Sequence, residues 1–233
     1  MNILVTAGNT QTPVDDVRCI TNIFTGRTGG QIAARAFDRG HAVTLLTSHP
    51  AVLDAIPGVR DRTLPEWRIS PYRTFDDLEA AMEKELTTGK FEAVIHAAAV
   101  SDYRVDGAFT FHDGQFENVT AGKVKSSHPE LWLKLTPTPK LVDKIRSVWG
   151  FTGVLVKFKL EVGLTDAELL AVAEKARVHS AADLISANTL EGYRECAFVG
   201  AGPSGYRKVA RAELADHLLD RVEELHRPAH FGG

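Results

Sequence analysis

Short apolar runs alternate with helix-period segments along almost the whole chain, and this alternation restricts the fold more than any other feature. Residues 3–5, 42–47, 67–70, 93–97, 154–158 and 183–187 read as buried strands. Residues 28–39 read as a helix with Ile32, Ala33, Ala36 and Phe37 on one face, and Gly40 stands just past its end. Thr74 opens a second helix, with Asp77 three residues on, Leu78, Met82 and Leu86 inward, and Gly89 as its stop. Thr138, with Pro139 in the first helical position, predicts a third. Thr165 and Glu168 form a capping box that opens a fourth, to about Val178. A last helix, 210–226, turns Leu214, Leu218, Val222 and Leu225 inward. Residues 131–135 alternate like a strand, and 196–199 with a following extended stretch, joined by 200–205, read as a terminal hairpin. The expectation is a single α/β domain over 1–233. It is Rossmann-like, with a mostly parallel sheet, helices on both faces and a C-terminal β-hairpin.

One connection breaks the pattern. Strand-to-helix loops in such units take about 2–6 residues, yet the first runs from Thr6 to Gly30. It carries Gly8, Asn9, Pro13, Gly26, Gly29 and Gly30. Val14, Val17, Ile20, Ile23 and Phe24 give it residues that can pack, and Asp15, Asp16, Arg18 and Asn22 give it polar groups. It reads as an ordered loop folded over a phosphate-bearing ligand. Open α/β sheets bind ligands outside the carboxyl ends of their strands. Residues 8–30, 98–125, 159–163 and Asn188 all fall at such ends. Within them, 99–128 has weak periodicity and carries Gly107, Gly114 and Gly122, so it reads as a long loop or flap.

Composition narrows the partners. The 233 residues are 44% hydrophobic, enough for one buried core. Net charge is −3 with no basic block, which argues against nucleic acid. No apolar run approaches the ~20 residues of a membrane span, so no membrane partner is expected. Two cysteines make no disulfide framework, and a cytoplasmic setting fits. The nine histidines lack metal-ligand spacing, so no metal site is expected. A dinucleotide fingerprint is also absent. Gly26-x-x-Gly29-Gly30 lies far from the strand, and the second strand ends Thr47-Ser48-His49 with no acid for a ribose diol. That disfavours an NAD(P)-dependent reductase. No Walker sequence and no G-x-S-x-G elbow occurs.

Several blocks resemble a known family. Thr6-Ala7-Gly8-Asn9-Thr10, Pro13 through Asn22, then Thr25-Gly26 and Gly29 are similar to the opening motif of phosphopantothenoylcysteine synthetases. Ala97-Ala98-Ala99-Val100-Ser101-Asp102-Tyr103 resembles the second block, and Lys123-Val124-Lys125 the lysine pair. Phe158 with Glu161, and Ala182 through Asn188, resemble the later blocks. They come in the family's order and span nearly the whole chain. The resemblance is to a free-standing synthetase, with no flavin-dependent decarboxylase half ahead of it.

The resemblance implies a ligase of coenzyme A biosynthesis. The carboxylate of 4′-phosphopantothenate attacks the α-phosphate of a nucleoside triphosphate, CTP in most bacterial members with ATP as the other choice. Pyrophosphate leaves, and the amine of cysteine then displaces the nucleotide from the acyl nucleotidylate. Mg2+ accompanies the triphosphate, and a homodimer is expected. Asn22, Lys123 and Arg18 are the implied catalytic residues. Asn22 holds the acyl nucleotidylate, Arg18 presents a planar fork to phosphate or carboxylate, and Lys123 closes over the phosphates. Gly8, Gly26, Gly29, Ala98, Ala99, Asp102, Lys125, Phe158 and Asn188 are the implied nucleotide-binding residues. Each has a plainer reading: a solvated turn for Asn22 and Arg18, a charged surface for the lysines, a turn cap for Asp102, plain core for Phe158. Asp15 and Asp16 fit holding Arg18 or the loop backbone better than binding metal. Asn9, Arg27, Pro137, Lys157 and Thr189 depart from the family pattern. Lys157 replaces a glycine that lets the ligand come close, which keeps open a non-catalytic nucleotide- or phosphopantothenate-binding module on the same fold.

Overall fold

The apolar runs assemble into one eight-stranded sheet. The computed structural model describes residues 1–58, 60–202 and 205–227. In chain order the strands are β1 (Asn2–Ala7), β2 (Gln11–Pro13), β3 (Cys19–Thr21), β4 (Ala42–Thr47), β5 (Trp67–Pro71), β6 (Ala93–His96), β7 (Tyr103–His112), β8 (Gln115–Asn118), β9 (Trp132–Pro137), β10 (Val154–Glu161), β11 (Leu184–Thr189), β12 (Cys196–Gly200) and β13 (Arg207–Ala210). The helices are α1 (Arg27–Asp38), α2 (Phe75–Thr88), α3 (Leu141–Ser147), α4 (Asp166–His179) and α5 (Leu214–His226). The sheet order is β13-β12-β11-β10-β6-β1-β4-β5. All neighbours from β5 to β11 pair in parallel, and β12 pairs antiparallel with both β11 and β13.

Burial on both faces explains why these strands read as continuous apolar runs. Ile3, Val5 and Ala7 pack with α1 and α5, while Leu4 packs with α2 and α3 on the other face. Ile185 and Ala187 meet Leu169 and Ala173 of α4. The Rossmann-like sheet, the helices on both faces and the terminal hairpin all hold. Pro203 and Ser204 of that hairpin's connection lie outside the described residues. Both capping boxes form: the Thr74 and Thr165 hydroxyls accept from the N–H groups of Asp77 and Glu168, whose carboxylates reach back to the cap backbone.

Three expectations need correction. Residues 99–128 are not a loop throughout. β7 and β8 form a hairpin, and β9 pairs with β7 to complete a small sheet of order β8-β7-β9. Asp113 and Gly114 at φ 49° and 80° make its turn, the positive-φ pair that tight hairpins require. A register shift between Val105 and Ala108 breaks the two-residue alternation, which hid the strand. Thr138 does not cap α3. Its hydroxyl donates to the Ser101 carbonyl at 2.6 Å and its N–H to that of Asp102 at 2.9 Å, and the helix starts after Lys140. Leu225 is exposed, and Leu219 takes its place in the α5 core.

The long first connection is ordered, and β2 and β3 pair as a small hairpin inside it. Its apolar residues do not make a core, since Val17, Ile20 and Ile23 are all exposed. The chain leaves β1 toward β4 on one side and returns to β6 on the other. A crevice therefore opens beyond the carboxyl ends of β1 and β6, at the topological switch point.

Candidate functional site

The crevice has a volume of about 870 Å³. Asn22, Ala98, Ala99, Asp102, Phe158 and Asn188 all line it. Six implied site residues thus come together from four separate stretches of sequence. Main-chain bonds fix its rim: the Ala99 N–H donates to the Gly8 carbonyl at 2.8 Å, and the Thr10 N–H to the Ala99 carbonyl at 3.3 Å. The Asn22 side-chain amide donates to the Ala99 carbonyl at 3.0 Å, and the Asn22 carbonyl accepts from the Asn9 amide at 2.6 Å. One amide proton of Asn22 is spent on this contact, and the second remains for a ligand. Phe158 packs against the α1/α5 core with one face and lines the crevice with the other. Asp102 is ion-paired with Lys140 at the same rim.

Gly8, Gly26 and Gly29 shape the site from behind and do not line it. A Cβ on Gly29 would come within 2.7 Å of the Ala7 Cβ, so α1 packs directly on the end of β1. A Cβ on Gly26 would meet the Gly8 nitrogen at 2.1 Å.

Arg18, Lys123 and Lys125 stand outside the crevice lining. The Arg18 guanidinium donates to the buried Asp15 carboxylate and to the Val124 carbonyl, the latter at 2.7 Å. The same carboxylate accepts from the Val124 N–H at 3.0 Å. The Arg18 guanidinium beside Asp15 holds that carboxyl far below the usual carboxylate range. With the Asp16 N–H donating to the Gly122 carbonyl at 2.9 Å, the clasp ties the lysine segment to the β2–β3 hairpin. Val124 is buried, and Lys123 and Lys125 on either side point outward. Any closure over a ligand therefore belongs to residues 119–131. Hydrogen exchange should show β7 protected with or without nucleotide, while 119–131 gain protection only when nucleotide binds. Equal, strong protection of 119–131 in both states would rule out a lid.

The floor carries two groups that sequence reasoning placed differently or missed. Lys157 is only 9% exposed, and its Nζ donates to the Ala176 carbonyl at 2.9 Å and the Ser180 hydroxyl at 2.6 Å. The Ser180 hydroxyl in turn donates to the Asp143 carboxylate at 2.6 Å. Burial lowers the Lys157 pKa, and the Asp143 charge opposes that shift. His96, beside it across the β6–β10 pair, is pushed down to about 4 by burial and by the Lys157 charge. Between about pH 6.5 and about pH 4 the unfolded chain therefore binds a proton on this histidine that the folded chain does not. Acidification through that window should cost about 3 kcal/mol of stability, with no further loss from this group below it. Urea unfolding at stepped pH checks this, and His96→Gln should flatten the slope. An equal slope in the variant would assign the loss to other groups.

Tyr193 and Arg211 also line the crevice. Tyr193 meets Phe24 edge-on at 5.7 Å between centroids. Arg211 donates to the Thr28 hydroxyl at the start of α1. No motif marks either one. His96 had a usable signal: a polar residue at the carboxyl end of a buried strand, next to the alanine run.

A basic crevice at the switch point of a parallel sheet, backed by glycine-mediated helix packing, defines a Rossmann-like α/β protein with a crevice suited to anionic ligands. The model of the DNA/pantothenate metabolism flavoprotein C-terminal domain matches residues 1–225, and the chain belongs to this family. It is 36% identical over 229 residues to the coenzyme A biosynthesis bifunctional protein CoaBC of Thermococcus kodakarensis, covering 96% of this chain and 51% of that protein. The CoaBC of Escherichia coli is 30% identical over 191 residues, covering 81% of this chain and 41% of that protein. The chain thus spans about half the length of these curated relatives. Among solved structures, the DNA/pantothenate metabolism flavoprotein of Streptococcus pneumoniae superposes with a TM-score of 0.80 at 27% identity, over 96% of this chain and 99% of that one. A Cab2 mutant in complex with phosphopantothenate-cysteine shares the fold, with a TM-score of 0.73 at 18% identity over 96% and 87% of the two chains.

Proposed function

We propose that this chain is a phosphopantothenate–cysteine ligase, acting as one synthetase domain in coenzyme A biosynthesis. The observation that carries the reading is the Asn22 amide, fixed on the Ala99 carbonyl at the crevice rim with one proton left to donate. The relationship to CoaBC proteins supports the substrates: 4′-phosphopantothenate, cysteine and a nucleoside triphosphate. CTP is the proposed triphosphate, with ATP as the competitor, and Mg2+ enters as part of it. In the first step a carboxylate oxygen bonds to the α-phosphorus and pyrophosphate leaves. In the second the cysteine amine forms the amide bond, losing a proton, and the nucleoside monophosphate departs. Such chemistry needs positioning and charge neutralisation more than a nucleophilic side chain. Asn22 steadies the oxygen that gains charge, and Asp102 and Asn188 orient the nucleotide. Ala98 and Ala99 let it approach the backbone, and Phe158 supplies an apolar wall. Lys123 and Lys125 meet the phosphates when 119–131 closes, and Arg18 holds that segment through Val124.

The test is to incubate the protein with each triphosphate, magnesium, 4′-phosphopantothenate and cysteine, and to measure pyrophosphate. Release that requires both the acid and a triphosphate is expected. No release with any triphosphate, but measurable nucleotide binding, would mean a binding module.

The proposed assembly is a homodimer in the cytoplasm. One face of the small sheet leaves Phe111, Phe116 and Trp132 exposed, with Phe116 packed on both Phe111 and Trp132. A contiguous aromatic face of this kind suits burial against a second copy. No helix among the described residues is long and apolar enough to cross a membrane. Sedimentation equilibrium should give twice the chain mass, and Trp132→Asp should shift it to the monomer. A monomeric wild type at micromolar concentration would contradict this.

A further inference from the structure

The crevice has an extension between α3 and α4 whose floor is made by His96 and Lys157. Val100 and Leu141 on one side and Val172 and Ala176 on the other give its walls apolar surface, and Lys140, Asp143 and Lys175 line the crevice there as well. A triphosphate is the poorer occupant of this slot: its charges would lose water against the apolar side chains and face the Asp143 carboxylate, and two of the three protons of the Lys157 ammonium are already spent. A flat heterocyclic base is the better one, since it buries apolar faces and presents a polar edge. The part of the crevice next to α1 and Asn22 is left for the phosphates.

The floor has a definite hydrogen-bonding character. His96 is only 7% exposed, and its Nδ1 lies 2.9 Å from the Thr6 hydroxyl oxygen. That oxygen already accepts from the Ala98 N–H at 3.2 Å. Among the described residues the Thr6 hydroxyl has no acceptor other than Nδ1, so it donates there. The ring proton then sits on Nε2. Nε2 has no hydrogen-bond partner among the described residues, while His96 lines the crevice. Next to it, Lys157 spends two of its three ammonium protons on Ala176 and Ser180.

Resting on the ligase reading above, we propose that His96, with Lys157 beside it, reads the nucleobase and favours CTP over ATP. The pair presents donors only. The N3 and O2 atoms of cytosine are neighbouring acceptors and match that floor. Adenine offers no such pair: N1 and N7 each stand beside the N6 amino donor, and N3 stands alone between C2–H and the glycosidic side, so one donor of the floor is left unpaired. Sites that hydrogen-bond a substrate group discriminate strongly against analogues that cannot complete the bonds. His96 thus acts as a specificity-determining residue for the base and takes no part in the bond-making steps.

The test compares kcat/KM for CTP and ATP in wild type, His96→Leu and His96→Gln, with calorimetric titration of CMP and AMP alongside. Wild type should prefer CTP. His96→Leu should lose about tenfold for CTP and much less for ATP, in turnover and in binding. His96→Gln, which keeps a donor, should recover part of the preference. If the leucine variant does not fold, the ring nitrogens of wild-type His96 give a second readout by NMR. Their resonances should shift on addition of CMP and stay in place with AMP. A leucine variant with an unchanged CTP/ATP ratio, or ring resonances indifferent to CMP, would overturn the assignment while leaving the ligase reading intact. No nucleotide binding and no turnover in wild type would overturn the ligase reading itself.

Discussion

Asn22→Asp is expected to cut pyrophosphate release by on the order of 10²–10³, about 3–4 kcal/mol in the barrier. The substitution keeps the size and the position at the crevice rim. It replaces the amide that donates to the Ala99 carbonyl with an acceptor facing an acceptor. On the proposed mechanism, the same change puts an anion where negative charge grows during carboxylate attack. Triphosphate binding also draws on main-chain N–H groups and on the lysine segment, so nucleotide affinity should fall less than turnover. Parallel assays of turnover and calorimetric binding separate the two. A variant that turns over at the wild-type rate would place the reacting centre elsewhere.

Gly26→Ala should produce the largest loss of stability of any single substitution at the proposed site. Gly26 has φ 86°, a conformation that costs any L-residue about 1–2 kcal/mol. Its Cβ would also meet the Gly8 nitrogen at 2.1 Å and the Ala7 carbonyl carbon at 2.9 Å, both of them backbone atoms that cannot swing aside. Relief requires α1 to move away from the end of β1, which loosens the Gly29 contact with Ala7 as well. A loss of at least ~3 kcal/mol follows, read as a fall in melting temperature of roughly 6–12 °C. Nucleotide binding should weaken with it. Gly40→Ala is a fitting control: that glycine also has positive φ but nothing within 4 Å of its Cβ, so only the backbone cost should appear. Equal melting temperatures for the two variants would mean that the close approach of Gly26 to Gly8 carries no weight.

Much of the fold was legible because its signals are local. Ile3 to Val5 form a strand buried on both faces and read as an unbroken apolar run, and Thr74 and Thr165 announce their helices through capping boxes. The β7–β8 hairpin was hidden because its strands carry a bulge at 105–108 and leave aromatic residues on an open face. Asp113-Gly114 was the available cue. Thr138 misled for a different reason. Its hydroxyl finds a carbonyl more than thirty residues away in sequence, and no local rule anticipates a tertiary competitor for a cap. The site divides in the same way. Asn22, Ala98, Ala99, Asp102, Phe158 and Asn188 follow from motifs at strand ends. Arg18 shows the limit of residue type, since a guanidinium suited to phosphate is here bonded to Asp15 and Val124. Lys157 was visible as a departure, but only the structure shows that its ammonium is turned to Ser180.

The most direct measurement of the central claim follows an oxygen atom. 4′-Phosphopantothenate labelled with ¹⁸O in its carboxylate is turned over with cysteine and CTP, and the products are separated and weighed by mass spectrometry. Attack of the carboxylate on the α-phosphorus, followed by aminolysis, leaves one labelled oxygen in CMP for each amide formed, and none in pyrophosphate. Label in inorganic phosphate, with a nucleoside diphosphate as the other product, would mean an acyl phosphate and would contradict the nucleotidylate route assigned to this crevice.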